Sequence, residues 1–174
     1  MKHPYITTRP KKQFTLVLDL DETLIHYDEE IHRCSDGIKF NTRPFTHDFL
    51  REMSKYFEIV IYTAADQTYA DEVLDKLDTD RVISHRLYRQ HVLHIQNNTT
   101  HQLHLIKDLR RIGRDLEKTI IIDNLKENFQ WQKENGIEIK TWYKDPTDTE
   151  LFKLIPPLRA IGQSGSHDLR EMLS

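Results

Sequence analysis

Short apolar runs, each ending at a polar residue, recur along the chain. They are Phe14–Leu18 before Asp19, Glu58–Tyr62 before Thr63, and Lys118–Ile122 before Asp123. Runs that are apolar almost throughout indicate strands buried on both faces, which are typical of parallel sheets covered by helices. A fourth segment, Gly136–Trp142, alternates between apolar and polar residues and therefore predicts an edge strand.

Between these runs, apolar residues recur at helical spacing. This spacing predicts helices at Phe45–Tyr56, at Asp66–Leu77 with Asp66 as the N-cap, at Leu105–Arg114 ending near Gly113, and after the capping-box pattern Thr147–Glu150. Pro156 and Pro157 are expected to disturb the last helix. Because strands and helices alternate, the sequence predicts an α/β fold: a Rossmann-like parallel sheet flanked by helices.

The stretch from Arg81 to His104 departs from this alternation. Val82–Tyr88 and Val92–Ile95 have the character of short strands and predict a small antiparallel insertion of about residues 81–104. Residues 1–174 are expected to form a single domain, with a core at about 14–160 and a loose tail after Ala160.

Composition excludes several classes of function. Lys and Arg number 25 against 28 Asp and Glu, giving a formal charge of −3. A protein that mainly coats nucleic acid needs a clear basic excess, so no direct nucleic-acid partner is expected. Cys34 is the single cysteine, which rules out an internal disulfide and favours an intracellular location, nuclear or cytoplasmic. No apolar run is long enough to span a membrane, and a monomer is expected.

Polar residues at the ends of the predicted strands indicate one shared site. Open α/β sheets bind ligands at the carboxyl ends of their strands, where Asp19, Thr63 and Asp123 would meet. Asp19 and Asp21 are two apart on an extended segment, so their carboxylates can face one site, and their repulsion favours a bound cation. Oxygen ligands beside a phosphate substrate favour Mg²⁺. Asp19 could then attack phosphorus while Asp21 acts as general acid and base.

Other polar groups fit the same chemistry, because phosphoryl transfer depends mainly on positioning and charge neutralisation. Thr63 offers a hydroxyl, followed by the backbone N–H groups of Ala64 and Ala65. Lys107 can bring a compact positive charge to phosphate oxygens. Asp123 and Asn124 supply a carboxylate and an amide oxygen for the metal or for Lys107.

Four segments resemble the four motifs of the haloacid dehalogenase superfamily. They are Asp19-Leu20-Asp21-Glu22-Thr23-Leu24-Ile25-His26, Tyr62-Thr63-Ala64, Ile106-Lys107-Asp108-Leu109 and Ile121-Ile122-Asp123-Asn124. Within that superfamily, the chain is similar over residues 14–160 to the small phosphatases of the RNA polymerase II C-terminal domain, which are related to NLI interacting factor. Ser84–Arg89 and Thr147–Leu151 add to the likeness.

The resemblance implies a magnesium-dependent protein phosphatase that acts on phosphoserine or phosphothreonine in a protein segment, through an aspartyl-phosphate. It implies that Asp19, the backbone carbonyl of Asp21 and Asn124 hold the metal. It further implies that Thr63, Ala64 and Lys107 bind the phosphate, that Asp123 orients Lys107, and that Thr23 and Arg89 lie near the substrate.

One segment departs from the pattern of those phosphatases. Between the first motif and Arg43-Pro44, they carry a longer stretch that helps to form an apolar pocket for a substrate proline. Here Tyr27–Thr42 is short and polar, with Asp28-Glu29-Glu30 in place of apolar residues. The catalytic residues are retained, but the same peptide preference does not follow.

Alternatives remain for individual motifs. Asp19, Asp21, Thr23 and Glu30 fit positions one, three, five and twelve of a calcium loop, although Leu24 stands where that loop needs glycine. The pairs His91/His94 and His101/His104 could suggest zinc. For the whole chain, the alternatives are a phosphatase of lipid or small-molecule phosphates and an inactive phosphate-binding scaffold.

Overall fold

The computed structural model describes residues 3–32 and 37–174, and Cys34 therefore lies outside the described residues. In chain order the elements are β1 (Phe14–Leu18), β2 (Ile25–Tyr27), α1 (Glu29–His32), β3 (Phe40–Thr42), α2 (Thr46–Met53), β4 (Phe57–Tyr62), α3 (Gln67–Leu77), β5 (Ile83–Leu87), β6 (Leu93–Gln96), β7 (Leu103–Ile106), β8 (Thr119–Asp123), β9 (Gly136–Glu138), α4 (Glu150–Gln163) and α5 (Arg170–Leu173). Five parallel strands form the central sheet in the order β5-β4-β1-β8-β9. The predicted α/β class and its parallel sheet are confirmed.

The central strands are buried on both faces, which explains their continuous apolar sequence. Leu16 and Leu18 of β1 pack into a cluster with α2, α3 and α4, whereas Val17 packs on the other face against the N-terminal segment and Ile112. Every residue of β1, β4 and β8 is buried. The edge position predicted for the strand after Gly136 is also confirmed, because β9 pairs with β8 alone.

Two antiparallel pairs lie outside the central sheet. One joins β2 and β3, and the other joins β6 and β7 around an exposed turn at residues 97–102. A small antiparallel insertion is therefore present, but one of the two strands predicted for it lies elsewhere. Ile83–Leu87 is β5, the edge strand of the parallel sheet, because its backbone pairs with β4 rather than with β6.

The helix predicted at Leu105–Arg114 is wrong. Its first residues belong to β7, and only Leu109–Arg111 forms a single 3-10 turn. Gly113 follows that turn with a φ of 88° and lies so close to the carbonyl of Ile6 that a side chain would collide with it. The backbone therefore needs glycine here, although it follows a single 3-10 turn and not the predicted helix.

Helix α4 continues through Pro156 and Pro157, which the sequence analysis expected to disturb it. Both prolines are exposed, and the helix reaches Gln163. After it, Leu169 is fully buried in the main core, and its N–H donates to the carbonyl of Glu117. The segment after Ala160 thus packs on the domain. Within residues 3–32 and 37–174, no helix has the length and apolar character that crossing a membrane requires.

Candidate active site

The carboxyl ends of β1, β4 and β8 lie side by side in the sheet. Leu18 is in register with Ile61 of β4 and with Ile122 of β8. The next residue, Asp19, donates its N–H to the carbonyl of Ile122 at 3.0 Å. The sequence prediction that the polar residues ending these strands share one edge is therefore consistent with the register.

Lys107 joins the two acidic strand ends. Its Nζ is 2.7 Å from Oδ1 of Asp19 and 2.6 Å from Oδ2 of Asp123. All three side chains are buried. Burial raises the pKa of Asp19 to about 7, Lys107 opposes that rise, and Asp123 adds to it. Burial alone would lower the pKa of Lys107, but the carboxylates of Asp123 and Asp19 raise it, so the ammonium stays charged.

Lys107 does not lie at a helix start, as the sequence predicted, but directly after β7. Its backbone N–H donates to the carbonyl of Asn128 at 2.7 Å. The side chain of Asn128 in turn donates to both oxygens of Asp123, at 3.1 and 3.2 Å. The sequence analysis missed Asn128, because nothing in its local sequence distinguishes it from a surface amide. It fixes both the lysine backbone and its carboxylate partner.

The second oxygen of Asp19 faces a group of neutral oxygens. Thr23 Oγ1 donates to Asp19 Oδ2 at 2.8 Å and is 3.4 Å from Oδ1 of Asn124. The amide nitrogen of Asn124 donates to the hydroxyl of Thr141 at 3.1 Å, so its oxygen is the atom that faces Thr23. A carboxylate and an amide oxygen so arranged suit Mg²⁺, which keeps several waters and needs few protein ligands. The donor set therefore fits the predicted metal.

Asp21 lies at a tight turn beside Asp19. Glu22 has a φ of 61°, and the N–H groups of Leu24 and Ile25 both donate to the carbonyl of Leu20. Burial raises the pKa of Asp21, and the hydroxyl of Tyr69, 2.6 Å from its Oδ1, opposes that rise. Tyr69 lies in the predicted helix Asp66–Leu77, where helical spacing indicates only an apolar face, so the sequence does not predict its contact with Asp21.

The segment after β4 forms another part of the site. The N–H of Ala65 donates to Thr63 Oγ1 at 3.0 Å, and Nε of Arg89 donates to the carbonyl of Ala64 at 3.1 Å. Arg89 is exposed, whereas Thr63 is buried. Of the two N–H groups proposed for phosphate, that of Ala65 is thus engaged within the protein. Arg89 lies at the margin of the site, in keeping with its expected position near the substrate.

These residues enclose an open cavity of about 280 Å³. It is lined by Asp19, Asp21, Glu22, Thr63, Ala64, Ala65, Leu105, Asn124, Leu125 and Asn128. A larger cavity of about 470 Å³ lies along residues 126–138 and contains none of the predicted site residues. Chemistry rather than volume therefore identifies the candidate site.

A buried arginine fixes the loop that carries Thr23. Arg43 donates Nε and Nη2 to the two carboxylate oxygens of Asp148, at 2.7 and 2.9 Å. It also donates to the backbone carbonyls of Thr23 and Lys140, at 3.1 and 2.8 Å. Arg43 is 1% exposed, so this clamp joins three chain-distant segments beneath the site. Asp148, which lies within the predicted capping-box pattern Thr147–Glu150, also accepts from the N–H of Glu150 at 3.2 Å.

The alternative metal sites are not assembled in the described part of the chain. His91 Nδ1 accepts from the N–H of Tyr88, while His94 and His104 lie on opposite faces of the β6–β7 hairpin according to its register. Glu30, the last position of the calcium-loop alternative, is exposed in α1 and lies beyond strand β2. Among the residues that the structure describes, no group of three or more His, Cys, Asp or Glu is placed to hold a metal.

Comparison with known proteins gives relatives that are named as small phosphatases. The chain is 39% identical over 181 residues to "CTD small phosphatase-like protein 3" of Caenorhabditis elegans, covering 97% of this chain and 61% of that protein. It is 43% identical over 156 residues to "Probable C-terminal domain small phosphatase" of Dictyostelium discoideum, covering 83% and 49%. The human "Carboxy-terminal domain RNA polymerase II polypeptide A small phosphatase 2" is 35% identical, with 95% and 63% covered. The chain thus spans about half to two thirds of the length of these relatives.

Solved structures confirm the fold. The chain superposes on "The Structure of Fcp1, an essential RNA polymerase II CTD phosphatase" with a TM-score of 0.60 and 20% identity, covering 92% of this chain and 48% of that one. At this identity the likeness establishes the HAD-like architecture. The family model described as "NLI interacting factor-like phosphatase" matches residues 14–170. Since that match covers nearly the whole chain, the chain belongs to the NLI interacting factor-like phosphatase family.

Proposed function

We propose that this domain is a Mg²⁺-dependent phosphatase that removes phosphate from phosphoserine or phosphothreonine in proteins through an aspartyl-phosphate on Asp19. One observation carries the proposal: the buried carboxylate of Asp19 lies between the ammonium of Lys107 and the hydroxyl of Thr23, inside an open cavity. A carboxylate held in this way has a fixed direction of attack, and the ammonium of Lys107 lies beside it, where it can neutralise phosphate oxygens.

In the first half-reaction, a carboxylate oxygen of Asp19 forms a bond to phosphorus while the bond from phosphorus to the serine or threonine oxygen breaks. Asp21 gives its proton to that leaving oxygen. The raised pKa of Asp21 favours the protonated acid that this step requires. Tyr69 holds one oxygen of Asp21, leaving the other oxygen for proton transfer.

In the second half-reaction, Asp21 takes a proton from water, the water oxygen bonds to phosphorus, and the acyl-phosphate bond breaks to return Asp19. Lys107 neutralises phosphoryl oxygens in both steps, and Asp123 with Asn128 holds the lysine in place. The hydroxyl of Thr63 and the N–H of Ala64 complete the phosphate contacts. Asp19, the carbonyl of Asp21 and Asn124 would hold Mg²⁺, which supplies further charge neutralisation.

The names of the relatives indicate which substrates to test first. The name of the human relative refers to the C-terminal domain of RNA polymerase II, so phosphopeptides from that domain are the first choice. A phosphatase for lipid or small-molecule phosphates would use the same residues, and an inactive scaffold would bind phosphate without turnover. Assays of phosphopeptides, inositol phosphates and p-nitrophenyl phosphate, each with Mg²⁺ or EDTA, distinguish these functions.

Asp19→Asn provides the sharpest test of the chemistry. The change is nearly isosteric, and Lys107 keeps Asp123 as its ion-pair partner, so the fold should persist while turnover falls roughly 10³-fold or more. Asp21→Asn should slow turnover by about 10²–10⁴-fold. Asp80→Asn is the matched control, because Asp80 lies in the loop before β5, at the amino ends of the parallel strands and therefore away from the site at their carboxyl ends. Wild-type turnover in Asp19→Asn would refute the proposed nucleophile.

A further inference from the structure

Three leucines form an apolar ledge at the mouth of the candidate active site. Leu105 and Leu125 line the cavity that contains Asp19, and Leu103 lies two residues before Leu105 on β7. Leu125 is 49% exposed and Leu103 is 57% exposed. Large apolar side chains left in water beside a cavity of polar groups are typical of a surface that binds a ligand.

The hairpin geometry makes the ledge continuous with the cavity. In the β6–β7 pair, Leu105 is opposite His94, and Leu103 is opposite Gln96. Residues two apart on a strand point to the same face, so Leu103 shares the face of Leu105 and lies about 7 Å further from the site. The ledge therefore begins inside the cavity and extends outwards along the strand.

The backbone of the ledge is tied to the catalytic residues. The N–H of Leu125 donates to Oδ1 of Asp123 at 2.9 Å, and its carbonyl accepts from the N–H of Asn128 at 3.0 Å. Leu105 is two residues before Lys107, and it packs against the core residues on the face of β1 that carries Val17. The backbones of Leu105 and Leu125 are thus held in place, so binding a ligand would cost these two leucines little conformational entropy.

The cavity also has acidic lining. Asp21 and Glu22 line it together with Leu105 and Leu125, and both border an adjoining groove that contains Asp28, Glu29, Glu30 and Lys144. In a substrate whose phosphorylated residue reaches Asp19, an apolar neighbouring residue would gain contact on the leucine ledge, whereas a polar one would gain nothing there.

We propose that the leucine ledge binds an apolar side chain immediately next to the phosphorylated residue, and that the domain therefore prefers phosphosites with an apolar neighbour. The inference rests on the proposed protein phosphatase function. It makes Leu103, Leu105 and Leu125 determinants of specificity, with no part in bond making or breaking.

The test compares paired phosphothreonine peptides of equal charge, with Leu or Ser directly before or directly after the phosphothreonine. For the wild type, kcat/KM should favour the Leu peptide about tenfold at one of these positions. In Leu103→Ser and Leu125→Ser, the ratio of kcat/KM for the Leu peptide to kcat/KM for the Ser peptide should fall towards one. Met172→Ser is the control, because Met172 is also exposed but lies on α5, near Glu117 at the opposite edge of the sheet, and it should keep the wild-type ratio.

The ratio within each variant is the readout, so a general loss of activity does not imitate the expected effect. A wild type without preference, or ledge variants that keep the full preference, would overturn the inference while leaving the phosphatase proposal intact. If neither the peptides nor p-nitrophenyl phosphate are hydrolysed, the proposed function fails, and the inference fails with it.

Discussion

The Arg43 clamp predicts a large loss of stability from a single change beneath the site. Arg43→Met removes the guanidinium but keeps an unbranched side chain of similar length. It deletes two charged hydrogen bonds to Asp148 and the contacts to the carbonyls of Thr23 and Lys140. Asp148, whose side chain is 3% exposed, is then left buried without its cation. The variant should therefore be much less stable than the wild type.

The magnitude follows from the burial of the pair. Removing one partner of a buried ion pair costs about 3–5 kcal/mol, because the other charge remains unpaired. A domain of this kind has a free energy of unfolding of about 5–15 kcal/mol, so the variant should fold but with a large part of its stability lost. With a urea slope of about 2 kcal/mol per molar, the unfolding midpoint should fall by roughly 2 M.

Urea unfolding followed by circular dichroism measures this shift, with Arg51→Met as the matched control. Arg51 pairs with Asp80 at 2.9 Å, but their side chains are 57% and 43% exposed. An exposed pair contributes about 1 kcal/mol or less, so the control midpoint should move by about 0.5 M at most. Similar shifts for Arg43→Met and Arg51→Met would show that the clamp contributes no more than a surface pair, contrary to the argument.

Three further predictions concern other parts of the molecule. Lys107→Met should lower kcat/KM for p-nitrophenyl phosphate by about 10²-fold or more, since the ammonium that faces Asp19 is then lost; near-normal rates would contradict its role. Burial alone would raise the pKa of Glu58, but the hydrogen bonds and charge of Arg114 lower it. The Glu58–Arg114 ion pair should therefore stabilise the fold above about pH 4.5, and this stabilisation should be lost as acid protonates Glu58. The stability gap between Glu58→Gln and the wild type, measured in urea, should therefore narrow towards pH 3, and a constant gap would exclude this linkage. Gly136→Ala should lower the melting temperature by several degrees, because the new methyl group would collide with the ring of Phe129; an unchanged value would show that the ring moves freely.

The sequence predicted the central sheet well because its signal is local. Phe14–Leu18, Phe57–Tyr62 and Thr119–Asp123 are buried on both faces, so their apolar runs admit few other interpretations. Because parallel strands place their carboxyl ends at one edge of a sheet, Asp19, Thr63 and Asp123, at the ends of these runs, could be expected to lie there together. The sheet pattern does not place Lys107, which lies in a segment predicted as a helix; its position beside Asp19 was implied by the resemblance to a known phosphatase family.

Predictions failed where long-range pairing decides the structure. The segment after Leu103 has apolar residues at helical spacing, but it pairs with β6 across the turn at residues 97–102 and becomes a strand. Arg43 and Asp148 are 105 positions apart, and no local pattern connects them. The hydroxyl of Tyr69 reaches Asp21 from a helix whose spacing indicated only packing. Each of these contacts depends on how distant elements meet in space.

The β6–β7 hairpin brings Lys107 to the sheet edge without belonging to the sheet. Its turn is closed by its own hydrogen bonds, from the N–H groups of Thr99 and Thr100 to the side chain of Asn97, and residues 97–102 are exposed. Extra residues grafted into this loop would lengthen an arm projecting into solvent while the ammonium at its base kept its place. The surface that this loop presents to a binding partner can therefore change during evolution without any change in the position of Lys107 or in the reaction.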